Sequence, residues 1–265
     1  MVRRTRLDAE LVRRGLARSR EQAASAIGAG RVRVNGLIAT KSSTGVDETT
    51  SLVVDDGGEE TYASRGGHKL AGALDALPTL AIAGRRCLDA GASTGGFTDV
   101  LLRRGATQVV AADVGYGQLA WALQSDERVV IMDRTNVREI TSETIGGPVD
   151  LVVADLSFIS LGAVLPSLAQ VTVPDGDLLL MVKPQFEVGR ARLPTGGVVR
   201  DPALRAESVA AVARLAESLG WGAAGITASP LPGPAGNVEY FLWLRQGAGP
   251  LHPDDLERAV REGPQ

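Results

Sequence analysis

At 265 residues, with 44% apolar and 22% charged side chains, the chain has the composition of an ordinary soluble protein with room for a large domain and a small one. Its net charge of −3 is unevenly spread: residues 1–41 carry ten Lys/Arg against three acids, so the rest must sum to −10, and a basic head on an acidic body points to an anionic partner. A single cysteine, Cys87, excludes an intrachain disulfide framework and fits a reducing, cytoplasmic setting. No apolar run approaches the length of a membrane span, acids interrupt the basic N-terminus where a signal peptide needs an apolar core, and metal-ligand clusters are missing, so neither membrane nor metal is expected.

The head reads as its own small α+β domain. Leu7, Leu11, Val12 and Leu16 recur at helical spacing over Leu7–Ala17. Ser19-Arg20-Glu21-Gln22 is a capping box that opens a second helix through Ile27, stopped by Gly28 and Gly30. Val32 and Val34 alternate with Arg31 and Arg33, Asn35-Gly36 makes a hairpin turn before Leu37-Ile38, and Leu52-Val53-Val54 reads as a last strand. The acidic run Asp55–Glu60 is a linker, dividing the chain into residues 1–60 and 61–265. Two helices followed by a hairpin with arginines on one face is a compact RNA-binding layout, since guanidinium forks bind phosphate bidentately and stack on bases. With L-D-x-x-L-x-x-x-G-L-A-x-S-R-x-x-A and the later G-x-V-x-V-N-G, residues 5–54 resemble the S4-like domain of ribosomal proteins, pseudouridine synthases and tyrosyl synthetases. Arg4, Arg6, Arg18 and Arg20 are its expected RNA contacts.

From Thr61 onward strand and helix signals alternate, as in a parallel sheet with crossover helices. The pattern predicts strands at 86–90, 108–113, 129–132, 150–155, 177–183, 223–229 and 238–244. It predicts helices at 66–77, 97–104, 117–124, 160–170 and 202–219, and a mobile loop over Gly189–Arg200. The first strand runs into Asp89-Ala90-Gly91-Ala92-Ser93-Thr94-Gly95-Gly96-Phe97, where glycines let the backbone approach a ligand and the next helix offers free N–H groups. Asp113, at the tip of the second strand, stands where an acid usually holds a ribose by its hydroxyls, and Asp133 and Asn136 follow the third strand, placed to line the base. The fold class is α/β, a Rossmann-like sheet for a nucleoside-containing cofactor. A G-x-S-x-G-G loop preceded by an acid suits S-adenosylmethionine better than NAD, because no pyrophosphate has to be cradled. Asp89, Gly91, Ser93, Thr94, Gly95, Gly96, Phe97, Asp113, Asp133 and Asn136 form the expected cofactor site. Gly91–Gly95 also matches the G-x-S-x-G elbow of hydrolases, a reading that needs a later Asp and His, whereas only His68 and His252 exist.

Four charges stand where a buried sheet should be apolar. Asp155 ends the fourth strand, Lys183 ends the fifth before Pro184, Glu239 starts the last, and Lys69 lies in Ser64-Arg65-Gly66-Gly67-His68-Lys69-Leu70. Strand carboxyl ends converge on the ligand crevice, so Asp155 and Lys183 are expected to face the methyl donor. Such a cluster suits methylation of a ribose hydroxyl, a poor nucleophile that must shed its proton as it attacks. A desolvated lysine beside a second ammonium is pushed toward a usable base, and neighbouring carboxylates push it back, so the lysine serves either as base or as support for alkoxide charge. Trp121, Trp221 and Trp243 read as core, Cys87 as a packed thiol, and Phe158 as packing against substrate or the sheet end.

Over its full length the chain resembles the TlyA family, rRNA 2′-O-methyltransferases related to the FtsJ class. The likeness rests on the S4-like head, S-R-G-G-H-K-L, L-D-A-G-A-S-T-G-G-F-T, D-L-S-F-I-S-L and V-K-P-Q-F-E. The resemblance implies a class I methyltransferase sheet, S-adenosylmethionine as donor, and a cytidine ribose of 16S and, in some members, 23S rRNA as acceptor. It also implies a Lys-Asp-Lys-Glu tetrad at Lys69, Asp155, Lys183 and Glu239 and a ribosomal partner; the chain is expected to act as a monomer. Where some members carry Arg-Ala-Trp-Val between the domains, this chain has Glu60-Thr61-Tyr62-Ala63. Two other readings stay open: a non-enzymatic RNA binder, and the haemolysin label the family carries, which the lack of any membrane pattern disfavours.

Overall fold

A computed structural model describes residues 4–17, 19–47, 49–54 and 62–264, and the chain falls into two units, Met1–Thr61 and Tyr62–Gln265. Arg18 and the expected linker Asp55–Glu60 lie outside the described residues. The first unit runs β1 (Thr5–Arg6), α1 (Leu7–Arg13), α2 (Arg20–Gly28), β2 (Val32–Val34), β3 (Leu37–Ile38), β4 (Gly45–Val46) and β5 (Leu52–Val54). Helix α1 stops short of the predicted Ala17 because Gly15 turns left-handed, φ +71°. Helix α2 is capped as its sequence implies, Gln22 N–H donating to Ser19 Oγ at 3.1 Å. Strand β2 lies between β3 and β5, antiparallel to both, and Asn35 (φ +49°) and Gly36 (φ +84°) supply the two positive φ angles of a tight hairpin. Leu7, Leu11, Ala23, Ile27, Val32 and Val46 bury together as the core. The β1–β4 ribbon was not legible, since two-residue strands show no alternation.

The second unit runs α3 (Arg65–Ala76), β6 (Arg86–Ala90), α4 (Gly96–Arg103), β7 (Gln108–Ala112), α5 (Trp121–Gln124), β8 (Val129–Met132), β9 (Val149–Ala154) and α6 (Leu165–Val171). It continues with β10 (Thr172–Val182), α7 (Pro184–Glu187), α8 (Pro202–Ser218), β11 (Trp221–Ala228), β12 (Tyr240–Gln246) and α9 (Pro253–Glu262). Seven strands order β11-β12-β10-β9-β6-β7-β8, parallel except for β12, which runs antiparallel between β10 and β11. From β6 the chain winds to one edge through β7 and β8 and then to the other through β9 and β10. The reversal opens a crevice beyond the carboxyl ends of β6 and β9. Both faces are covered: Leu88 and Ala90 pack with Leu165, Leu168, Val209 and Val212, while Cys87, Leu151 and Val153 pack with Leu70, Leu74 and Leu101. Strands buried on both sides read as the apolar runs seen in the sequence. This is the α/β Rossmann-like sheet of the methyltransferase reading, behind an α+β head.

The departures have local causes. The helix predicted at 117–124 shrinks to α5, because Gly117 is left-handed and Ala120 extended. The helix at 160–170 becomes a 3-10 turn and then α6, with Pro166 in its first turn. Helix α9 hides in a proline-bearing tail: Pro253 opens it behind a cap in which Asp254 N–H donates to His252 Nδ1 at 3.3 Å. Trp221 and Trp243 are core, but Trp121 is not; it opens a single-turn helix and is 79% exposed. Cys87 is buried, and that burial pushes its thiol up to about 12, far from nucleophile range.

Midway along β10, the buried Asp177 accepts from Arg85 Nη1 (2.5 Å), Trp243 Nε1 (2.7 Å) and Arg245 Nε (2.9 Å). Burial alone would raise this carboxyl, but the bonds from Arg245, Arg85 and Trp243 outweigh it and hold it low. Asp177→Ala should cost about 2–4 kcal/mol in urea unfolding, because the indole N–H loses its acceptor and two guanidiniums lose their counter-ion. A depressed carboxyl stabilises above its unfolded pKa, so the gap between wild type and variant should narrow as pH falls below about 4.

Candidate active site

The end of β6 and the start of α4 set the floor of the site. Gly91 (φ +89°) leaves the strand where a Cβ would stand 2.6 Å from the Asp155 carbonyl oxygen, so only glycine lets this turn lie against the end of β9. Ser93 also takes a positive φ, +48°. Its N–H donates to Asp113 Oδ2 at 2.8 Å, and Asp113 Oδ1 accepts from Gly115 N–H at 2.7 Å. Asp113 therefore clamps the glycine turn to the loop after β7. The Ser93 hydroxyl pairs with Gln118 Oε1 at 3.4 Å; His252 caps α9 and His68 packs edge-on against Tyr62. The hydrolase triad is not assembled.

A cavity of about 270 Å³ opens above this turn. Gly91, Ser93, Thr94, Gly96 and Phe97 line it from one side, Ser64, Arg65, Gly66 and Lys69 from α3, Asp155 from the end of β9, and Pro232 and Pro234 from the loop before β12. Gly95, Asp89, Asp113, Asp133 and Asn136 are not part of that lining. Asp133 Oδ2 accepts from Gly117 N–H (2.9 Å), and Asn136 Nδ2 donates to Glu139 Oε1 (2.8 Å). Asp89 is wholly buried, its Oδ2 accepting from the Thr98 N–H (2.9 Å) and hydroxyl (2.7 Å), so it braces the first turn of α4 from behind. The lining from Ser64 to Gly66 and from the Pro-Gly-Pro loop escaped the reading of the sequence. The S-R-G-G run before Lys69 was the signal available for the first.

The four charges resolve into two ion pairs. Lys69 Nζ lies 2.6 Å from Glu239 Oε2, and both side chains are buried. Lys183 Nζ lies 2.6 Å from Asp155 Oδ1 and donates to Ser157 Oγ at 3.0 Å. Asp155, Lys183 and Glu239 each sit one residue beyond a strand, where the sheet ends and a side chain can turn inward. Lys69 and Asp155 face the cavity; Glu239 and Lys183 stand behind them. Gly233 presses on Glu239, a Cβ there falling 2.6 Å from Oε1. Phe158, with φ +64°, is 92% exposed, and its ring lies 5.4 Å from that of Phe186, so it does not plug the sheet end. In the head unit, Arg4 is exposed, and Arg6 and Arg20 hold partly exposed guanidiniums on the Asp8 carboxylate. Among the described residues there is no grouping of His, Cys, Asp or Glu fit for a metal ion and no helix long and apolar enough to cross a membrane.

Burial pushes the Asp89 carboxyl up to about 7, against the pull of its Thr98 bonds. A raised carboxyl stabilises the fold in acid, and that contribution drains away as pH rises from about 4 through 7. Asp89→Asn should flatten this part of the stability–pH curve, measured as the difference in unfolding free energy between variant and wild type from pH 4.5 to 8. A difference that stays constant across the range would contradict it.

Comparison with known proteins agrees over both units. A family model of FtsJ-like methyltransferases matches residues 62–246, and one of the S4 domain matches residues 5–51. The 16S/23S rRNA (cytidine-2′-O)-methyltransferase TlyA of Mycobacterium tuberculosis is 63% identical over the whole of both chains. Hemolysin A of Brachyspira hyodysenteriae is 35% identical over 89% of this chain and 98% of its own. A solved structure of a candidate hemolysin from Streptococcus thermophilus aligns with TM-score 0.76 at 36% identity, covering 99% of this chain and 96% of that one. The chain belongs to the TlyA family, an S4 domain followed by an FtsJ-like methyltransferase domain.

Proposed function

We propose that the protein is an S-adenosylmethionine-dependent rRNA methyltransferase that modifies a cytidine ribose 2′-OH in 16S rRNA, and in 23S rRNA as a second substrate. In this reading it acts in the cytoplasm as a monomer, with residues 1–60 as the RNA anchor and 61–265 as the catalytic domain. The observation that carries the reading is the placing of two lysine–carboxylate pairs at one cavity bounded by the glycine turn. A protein that only bound RNA would have no use for charges buried at the crevice of its sheet.

The residues fit the donor. The Gly91 turn lies tight on β9, leaving room for a ligand above it, and Asp113 at the end of β7 keeps lone pairs for ribose hydroxyls. The amino end of α4 turns N–H groups and a positive dipole toward a carboxylate. Bound there, S-adenosylmethionine supplies an electrophilic methyl group. Lys183, with two of its three donor positions occupied by Asp155 and Ser157, keeps one for the 2′-oxygen. As the hydroxyl attacks, the ammonium steadies the growing negative charge and the Asp155–Lys183 pair takes up the proton. Lys69, held by Glu239, orients the ribose from the opposite wall.

Lys183→Ala and Asp155→Ala should cut single-turnover methyl transfer by roughly 10²–10⁴ at saturating RNA and donor, with RNA affinity little changed. Glu239→Ala should be milder, because it acts through Lys69. A Lys183→Ala variant that reacts within a few-fold of wild type would remove this assignment. Asp113→Ala should weaken donor binding by about 1–3 kcal/mol in calorimetry. Removing residues 1–60 should spare donor affinity within a few-fold and abolish rRNA methylation.

A further inference from the structure

Counting charges in the head treats Asp8 as a subtraction from a basic surface, and the geometry points to the opposite role. Asp8 is nearly buried, with 6% of its side chain exposed, whereas the side chains of the two arginines it holds are 52% and 60% exposed. Arg6 grips the carboxylate by its fork, Nε to Oδ1 at 3.1 Å and Nη2 to Oδ2 at 3.0 Å, and Arg20 adds Nη2 to Oδ2 at 2.9 Å. Oδ1 also accepts from Ala9 N–H at 2.9 Å, which fixes the carboxylate to the first turn of α1. Arg6 comes from β1 and Arg20 from the start of α2, so one anion ties two elements together at their solvent face. Among the described residues neither arginine bonds any other protein acceptor, which leaves Arg6 Nη1 and most of the Arg20 fork turned to solvent.

The neighbouring acid makes the contrast. Glu10 is as buried and pairs with Arg13 and Arg14, but Arg14 spends both terminal nitrogens on the carbonyls of Asp47 and Thr50. Through Arg14 the Glu10 cluster braces α1 against the Asp47–Thr50 turn, although its Arg13 is 56% exposed; in the Asp8 cluster both arginines end in unspent donors.

We infer that Asp8 is a positioning residue for RNA binding, holding Arg6 and Arg20 in one fixed array whose free N–H groups accept adjacent phosphates of the rRNA. The inference rests on the head being the RNA anchor. A free arginine must surrender several rotors when it docks; one already locked by a buried carboxylate has surrendered them on folding. The array still carries net charge +1, and at contact range geometry outweighs the unit of charge that Asp8 cancels.

The test compares two opposite signs. Binding of the full-length chain to in vitro transcribed 16S rRNA is measured from 50 to 200 mM salt for Asp8→Asn, Arg6→Ala, Arg20→Ala and the combined variants. Asparagine keeps the acceptor for Ala9 N–H and makes the surface more basic, so charge counting predicts tighter binding. Positioning predicts binding weaker by roughly tenfold, with most of that loss gone when Asp8→Asn is placed on Arg6→Ala plus Arg20→Ala. Glu10→Gln serves as control and should leave affinity unchanged. Equal or tighter binding by Asp8→Asn overturns the inference, as does an equal loss in the arginine-free background. If Arg6→Ala and Arg20→Ala themselves bind like wild type, the RNA-anchor reading falls and takes the inference with it. Should Asp8→Asn melt the head, as circular dichroism would show, Arg6→Lys decides: it keeps the charge and lacks the fork, so a several-fold loss supports positioning and full affinity refutes it.

Discussion

Charge at the carboxyl edge of an apolar sheet survives only in pairs, and the second unit is arranged around that constraint. An unpartnered ammonium at the depth of Lys69 would cost several kcal/mol of desolvation; Glu239 at 2.6 Å offsets it. For the pair to form, the amino end of α3 must lie over the last strand, and Gly233 must leave room beside the carboxylate. Asp155 and Lys183 impose the same demand on β9 and β10, adjacent parallel strands whose carboxyl ends lie side by side, β10 running two residues further. The sheet order, the glycine turn and the Pro-Gly-Pro loop all serve positions that these four side chains require.

The pairing also divides labour. Each pair sets one member on the cavity wall and one behind it, so each charge that lines the cavity is held by a counter-charge. The outward members are of opposite sign, Lys69 and Asp155, and the cavity presents both a donor and an acceptor. Pre-set polarity of this kind needs little rearrangement during reaction, which is where enzymes draw much of their rate.

Much of this was legible in the chain. The strands declared themselves because a parallel sheet covered on both faces is written as short apolar runs, and a charge at the end of such a run is conspicuous. Which charge pairs with which was not legible, since Lys69 and Glu239 meet only after the last strand turns antiparallel. Asp89 lies inside the glycine-turn motif, yet it points away from the cavity to Thr98, a distinction set by which face of β6 carries it. Trp121 was misplaced because large aromatics are usually core, whereas a glycine-rich loop left its helix one turn long and its ring in solvent. Asp8 was hidden by arithmetic: a sum of charges cannot show that an acid organises the bases around it.

The position of β12 has a consequence for how the enzyme is made. Strand β11 hydrogen-bonds only to β12 in this sheet, and β12 is synthesised after it, carrying Glu239 at its threshold. A nascent chain that has emerged as far as β11 can close the five parallel strands, yet it has nowhere to lay β11 and no counter-ion for Lys69. The head, made first and held by contacts within its own few dozen residues, can be folded well before then. The polypeptide thus completes its S4 unit early in translation and its charge pairs near the end, when one late hairpin adds to the open edge of β10.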